Sequence, residues 1–235
     1  MDWWQSWQRR RVLRSCAAPE SVRAWLSASW PKPEDDWRRV RFTALDLETS
    51  GLQPRENEIL SIGMVDVEGG TLREGSAWQS LVRPPDGHRI SEASTQIHGL
   101  DARCLADAPR LGEVLPSVLE RLAGSVLMVH VSQVDHPFLA RALRAHYGCG
   151  LWMPTLDTAR LCAWFDYHPQ LGKGRNEVIV FRRLTEIAAE LGVEAGRPHD
   201  ALEDALTCAR IFIAMSERLE RLSPVSFGRL RRIAG

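Results

Sequence analysis

An apolar segment that ends in two carboxylates sets the first constraint on this chain. Phe42-Thr43-Ala44-Leu45-Asp46-Leu47-Glu48 has the composition of a buried strand, and Thr49-Ser50-Gly51 supplies a turn directly after it. Side chains alternate along a strand, so Asp46 and Glu48 share one face at its carboxyl end. Two acids held together among apolar residues repel each other and lose hydration, which a cation would offset. Hard divalent ions such as Mg²⁺ or Mn²⁺ favour oxygen ligands. An edge strand that points both acids at solvent is the competing reading.

The rest of the chain alternates in period around that segment. Ile59 to Val67 reads as a second strand, Gly69-Gly70 as a hairpin turn, and Ala77 to Val82 as a third strand stopped by Pro84-Pro85. A helix is expected over Gly112 to Leu122, with Val114, Leu115, Val118, Leu119 and Leu122 on one face, and a strand over Ser125 to His130. Further helices are expected at Pro137 to His146, Thr158 to Trp164, Phe181 to Leu191 and about Ala201 to Arg221. Tyr167 to Glu177, rich in Gly and Pro, reads as a loop inside the domain. The expected fold is α/β, a mixed sheet that begins as an antiparallel meander and continues with parallel strands, flanked by helices.

Residues 1–40 differ in composition from the remainder of the chain, holding six of the nine tryptophans (Trp3, Trp4, Trp7, Trp25, Trp30 and Trp37) and the breaker run Pro31-Lys32-Pro33. They are expected to form a helical, Trp-rich extension, its amphipathic face packed on the main domain or offered to a protein partner or a membrane surface. Residues 41–222 are expected to form the main domain and 223–235 a basic tail. Net charge is zero, with 30 Lys plus Arg against 30 Asp plus Glu, but both ends are basic and residues 42–215 carry −7. The five cysteines include no C-x-x-C pair, so reduced, mostly buried thiols are expected in place of disulfides or a zinc knuckle. No apolar run approaches the ~20 residues of a membrane span, and a cytoplasmic location is the default expectation.

Three further positions carry candidate chemistry. Asp135 comes after the apolar strand Val126 to His130 and precedes a helix, where an N-cap role is the ordinary reading. His199-Asp200-Ala201-Leu202-Glu203-Asp204-Ala205 opens the last helix, and Asp200 with Glu203 has capping-box spacing. That leaves His199 just outside the helix and Asp204 one turn inside it, amid small apolar residues. His130 reads as a satisfied strand-end histidine, and His88, His136, His146 and His168 as surface or loop residues. Lys173, Arg175, Arg182 and Arg183 either lead a substrate backbone toward the site or form a solvated face.

The order of these segments resembles the DEDDh exonucleases of the DnaQ type. Phe42 to Leu52 is similar to the family's first motif, and Glu58 to Gly63 to the strand after it. Ile97-His98-Gly99-Leu100 resembles its I-H-G-I segment, His130 to Asp135 its second motif, Asp157-Thr158 with Leu161 its D-T-x-x-L segment, and His199 to Ala205 its H-x-A-x-x-D-A motif. The second motif departs from the usual H-N-A-x-F-D, reading His130-Val131-Ser132-Gln133-Val134-Asp135.

The resemblance implies a ribonuclease H-like fold and a 3′–5′ exonuclease. By it, Asp46, Glu48, Asp135 and Asp204 would hold two Mg²⁺ or Mn²⁺ ions about 3.5–4 Å apart. His199 would be the general base. Thr49, Leu52 and His98 would contact the terminal nucleotide. Implied partners are single-stranded nucleic acid 3′ ends, DNA favoured, and a polymerase or other protein on the amino-terminal extension. A non-catalytic or weakly active nucleic-acid-binding or polymerase-associated module and a phosphodiesterase for short oligonucleotides or dinucleotides stand as alternatives.

Overall fold

The computed structural model describes residues 12–13, 19–167 and 182–235. The helix expected around Trp3, Trp4 and Trp7 lies outside them, as do His168, Lys173, Arg175 and nearly all of the expected loop. One five-stranded sheet has the order β3-β2-β1-β4-β5, built from β1 (Phe42–Thr49), β2 (Ile59–Glu68), β3 (Thr71–Leu81), β4 (Val126–Val129) and β5 (Thr155–Asp157). β1, β2 and β3 pair antiparallel, and β4 and β5 join parallel beyond β1, so the sheet is mixed as expected. Gly69 and Gly70, at φ 65° and 75°, close the β2–β3 hairpin with the two positive φ values a tight primed turn needs. Because that turn starts the pairing at Glu68 and Thr71, β3 begins at Thr71 and not at Ala77.

Helices cover both faces. α1 (Glu20–Ser27), α3 (Leu111–Leu122) and α4 (Ser132–Tyr147) pack on one, and α5 (Thr158–Tyr167), α6 (Leu184–Leu191), α7 (Ala201–Glu220) and α8 (Phe227–Ala234) on the other; α2 (Glu92–His98) comes after β3. Strand alternation sorts β1 between the layers. Leu45 and Leu47 join Trp25, Leu119 and Phe138, whereas Phe42 and Ala44 join Phe212 of α7. Burial on both faces is why the β4 run reads as continuously apolar.

Segments at both ends of the described chain enter these cores. Trp37 and Phe227 are fully buried in the α7 layer, and Trp37 meets Phe212 edge-on at 5.9 Å between ring centroids. The amides of Phe227 and Gly228 donate to the carbonyls of Asp35 (2.8 Å) and Pro33 (2.8 Å), joining the two segments directly.

Several local expectations change. α4 starts at Ser132, before Pro137, because the Asp157 carboxylate accepts from the Val131 and Ser132 amides at 3.1 and 2.8 Å and satisfies donors a helix start leaves open. α6 starts at Leu184, with Arg183 at its cap, and Phe181, the expected start, lies outside the described residues. β5, α1, α2 and α8 are short or weakly periodic, and the sequence pattern does not announce them. Cys149, Cys162 and Cys208 are buried free thiols and Cys104 is an exposed one. No helix among the described residues is long and apolar enough to cross a membrane.

Candidate active site

Asp46 and Glu48 lie on the β1 face that α7 covers, in line with Phe42 and Ala44 on that face. Opposite Asp46 on β2 stands Gly63, and the first turn of α7 rests on it. A Cβ there would come within 2.1 Å of the Ala201 carbonyl oxygen, so only glycine lets the helix approach this closely. Asp200 caps α7 by accepting from the Leu202 amide at 3.2 Å, and Gln79 of β3 donates to the same oxygen at 3.1 Å. Glu203 does not complete the expected capping box; it leans toward Gly196. One turn on, Asp204 accepts from the His199 backbone amide at 2.9 Å.

His199 itself has φ 61°, a left-handed conformation that is uncommon outside glycine, and its side chain is exposed. Ligand atoms of Glu48, His199 and Asp204 lie within 4.8 Å of one another.

Asp135 arrives from the opposite layer. It sits in the first turn of α4 and is 3% exposed, inside the helix and not at its cap. That turn begins at Val131, which has φ 63°. Asp157, itself buried, fixes it by accepting from the Val131 and Ser132 amides, and accepts a third bond from the Ala159 amide at 2.9 Å. The D-T pair is the only sequence signal for this supporting role.

The four acids act on one another. Burial, then Asp135, Asp204, Glu48 and Asp200, holds the Asp46 carboxyl well above the usual carboxylate range. Glu48 is pushed up to about 7 by burial and by Asp204 and Asp200. Burial likewise raises Asp135, against the Leu47 backbone amide, and raises Asp204, against His199. The four side-chain charges that act most on Asp46 are all acids. Such a set of desolvated oxygen donors fits a hard divalent cation, whose charge would reverse these shifts.

The rim carries the remaining candidates. Thr49 donates from its hydroxyl to the Gly51 carbonyl at 2.8 Å, and Leu52 stands 79% exposed. His98 accepts the Leu100 amide on Nδ1 at 3.0 Å, while its shielded Nε2 has no hydrogen-bond partner. Burial lowers its pKa, as does the nearby His199. His130 is satisfied as expected, by Thr158 Oγ1 at 2.9 Å and the Arg182 carbonyl at 3.0 Å.

His88, in contrast, is not a free loop residue. Its Nε2 meets Ser50 Oγ at 2.7 Å, and that same hydroxyl accepts from the Glu58 amide at 3.0 Å. The pairing joins segments 38 residues apart, and no local sequence pattern announces it. Arg182 is occupied by Asp166 (3.7 Å) and Glu190 (2.6 Å), which removes it from a free cationic lead-in; Arg183 stays exposed.

The exonuclease family model RNase_T matches residues 43–212, which span all four acids and His199. The DNA polymerase III subunit epsilon of Aquifex aeolicus is 31% identical over 80% of this chain and 86% of its own length. The PolC-type DNA polymerase III of Thermotoga maritima is 28% identical over 82% of the chain, but the chain spans only 13% of that protein. Among solved structures, E. coli Exonuclease I in complex with a dT13 oligonucleotide shares the fold, with TM-score 0.67 and 14% identity over 78% of this chain and 42% of that one. The chain belongs to the RNase T-type exonuclease family, the DnaQ-like 3′–5′ exonucleases, whose members hydrolyse phosphodiester bonds.

Proposed function

We propose that this chain is a metal-dependent exonuclease that releases nucleoside 5′-monophosphates from the 3′ ends of single-stranded nucleic acid, DNA in preference to RNA. The observation that carries the reading is the cluster of Asp46, Glu48, Asp135 and Asp204, four acids with raised pKa values gathered from β1, α4 and α7. These residues would hold two Mg²⁺ or Mn²⁺ ions. Bound there, divalent ions neutralise the scissile phosphate, lower the pKa of water and stabilise the departing 3′ oxygen.

The chain's own residues do the rest. His199, exposed beside Glu48 and Asp204, accepts the proton of the attacking water at a ring nitrogen. Its backbone bond to Asp204 ties the base to the same helix turn that carries an acid. Thr49 at the end of β1 and Leu52 in the loop after it bear on the terminal nucleotide, and His98, which lies against the Thr49 backbone, stands near its sugar or base. The rim at Leu52 is open, which suits a continuing strand better than an enclosed dinucleotide. The dT13 strand in the E. coli neighbour and the polymerase subunit among the relatives support a DNA end as substrate.

Labelled single-stranded DNA, RNA and dinucleotides, incubated with Mn²⁺ beside an Asp46→Ala control, test the reading. Wild type should shorten DNA from its 3′ end to mononucleotides and the control should not. Equal behaviour of the two proteins on every substrate sinks it.

A further inference from the structure

Between the loop after β1 and the outer face of α4 lies a groove of about 690 Å³, lined in part by Leu52, Arg55, Pro137, Arg141 and Arg144. Pro137, Arg141 and Arg144 recur at helical spacing and form one stripe about 10 Å long at 1.5 Å per residue. Arg141 has a structural task. It donates to the Asn57 carbonyl at 2.7 Å and to Glu58 at 2.8 Å, which latches the loop to the helix.

Arg55 and Arg144 have none: both are exposed, and among the described residues their guanidinium groups make no ion pair or hydrogen bond. One acid, Glu56, stands against three arginines in this lining, although residues 42–215 as a whole are net negative. Leu52 lines the groove and stands in the loop that follows Glu48, so on the proposed reading the groove adjoins the contacts to the terminal nucleotide.

We propose that this groove is a second subsite, which binds the phosphodiester backbone of the nucleotides on the 5′ side of the scissile bond, with Arg55 and Arg144 as its phosphate contacts. At about 3.4 Å per stacked nucleotide the stripe accommodates roughly three. The proposal rests on the exonuclease reading and extends it to the part of the substrate that is not cleaved. A planar, permanently charged guanidinium suits that role, since it pairs with phosphate through two parallel bonds.

The test uses the full chain, the double variant R55E/R144E and two substrates. The p-nitrophenyl ester of thymidine 5′-monophosphate reaches only the acidic site, whereas dT10 also reaches the groove. The variant should match wild type on the ester and show a higher KM on dT10. Two lost phosphate contacts at a slope of about 0.7 each mean that raising salt from about 50 to about 200 mM weakens wild type about sevenfold more than the variant. R55Q/R144Q repeats the measurement without charge reversal.

An unchanged KM and salt slope on dT10, with an active wild type, overturns the subsite, leaves the exonuclease reading intact and assigns the groove to a protein partner. Slower turnover of the ester overturns it too, since the arginines would then act at the reacting centre. A wild type inert on both substrates defeats the function itself.

Discussion

Replacing Glu48 with Gln should make the metal-free protein more stable while abolishing its activity. Glu48 is 7% exposed, and its pKa rises from 4.5 to about 7 on folding. A carboxyl whose folded pKa lies above its unfolded value binds more protons in the folded state, so stability is lost as pH rises from about 4.5 to about 7 and stays lost above it. At about 1.36 kcal/mol per pKa unit the full penalty is about 3 kcal/mol. Glu48→Gln removes that charge and keeps the shape. For a chain of this size, about 3 kcal/mol corresponds to a Tm rise of roughly 6–12 °C.

Thermal unfolding followed by circular dichroism in EDTA at pH 8 reads the effect, with a second series at pH 5, where the gain should shrink to a fraction. Adding Mn²⁺ should raise the wild-type Tm, because an ion that binds only the folded state stabilises it by mass action, and should raise the variant's less. A variant that melts below wild type in EDTA at pH 8, or a wild type whose Tm is indifferent to both pH and Mn²⁺, refutes the argument that these acids are held in mutual repulsion.

The geometry sets three other outcomes. His199→Ala should lower kcat about a hundred- to ten-thousandfold with little change in KM, measured on dT10 with Mn²⁺, if its ring takes the proton from water. Gly63→Ala drives a Cβ into the Ala201 carbonyl; a cost of about 1–3 kcal/mol in denaturant unfolding, together with lost activity, should show that α7 has been lifted off β2. Trp37→Ala empties a fully buried indole site against Phe212 and should cost about 3–5 kcal/mol by the same assay.

Whatever rests on local period is legible in the sequence. β1 with its two acids, the β2–β3 hairpin, α3 and α7 can be read from alternation, turn chemistry and apolar spacing. The register that sets Gly63 opposite Asp46 is a long-range pairing, so the glycine's task of seating α7 has no local signature. The same holds for His88, whose partner Ser50 lies across the loop after β3, and for Arg182, a free cation by sequence until folding brings Asp166 and Glu190 to it. β5 is three residues long, too short for any periodicity to declare, yet it delivers Asp157.

Asp157 and Val131 together have a consequence for how the fourth acid is held. A β-branched residue in the left-handed region costs roughly 1–2 kcal/mol, and Asn, which the family's second motif usually carries at this position, is among the few residues at ease there. The turn therefore behaves as a loaded spring, with the Asp157 carboxylate as its catch on the Val131 and Ser132 amides. Releasing the catch would let Val131 relax to negative φ and swing the first turn of α4, and Asp135 with it, away from Asp46, Glu48 and Asp204. The position of one acid in the cleft is thus kept by another that never faces it.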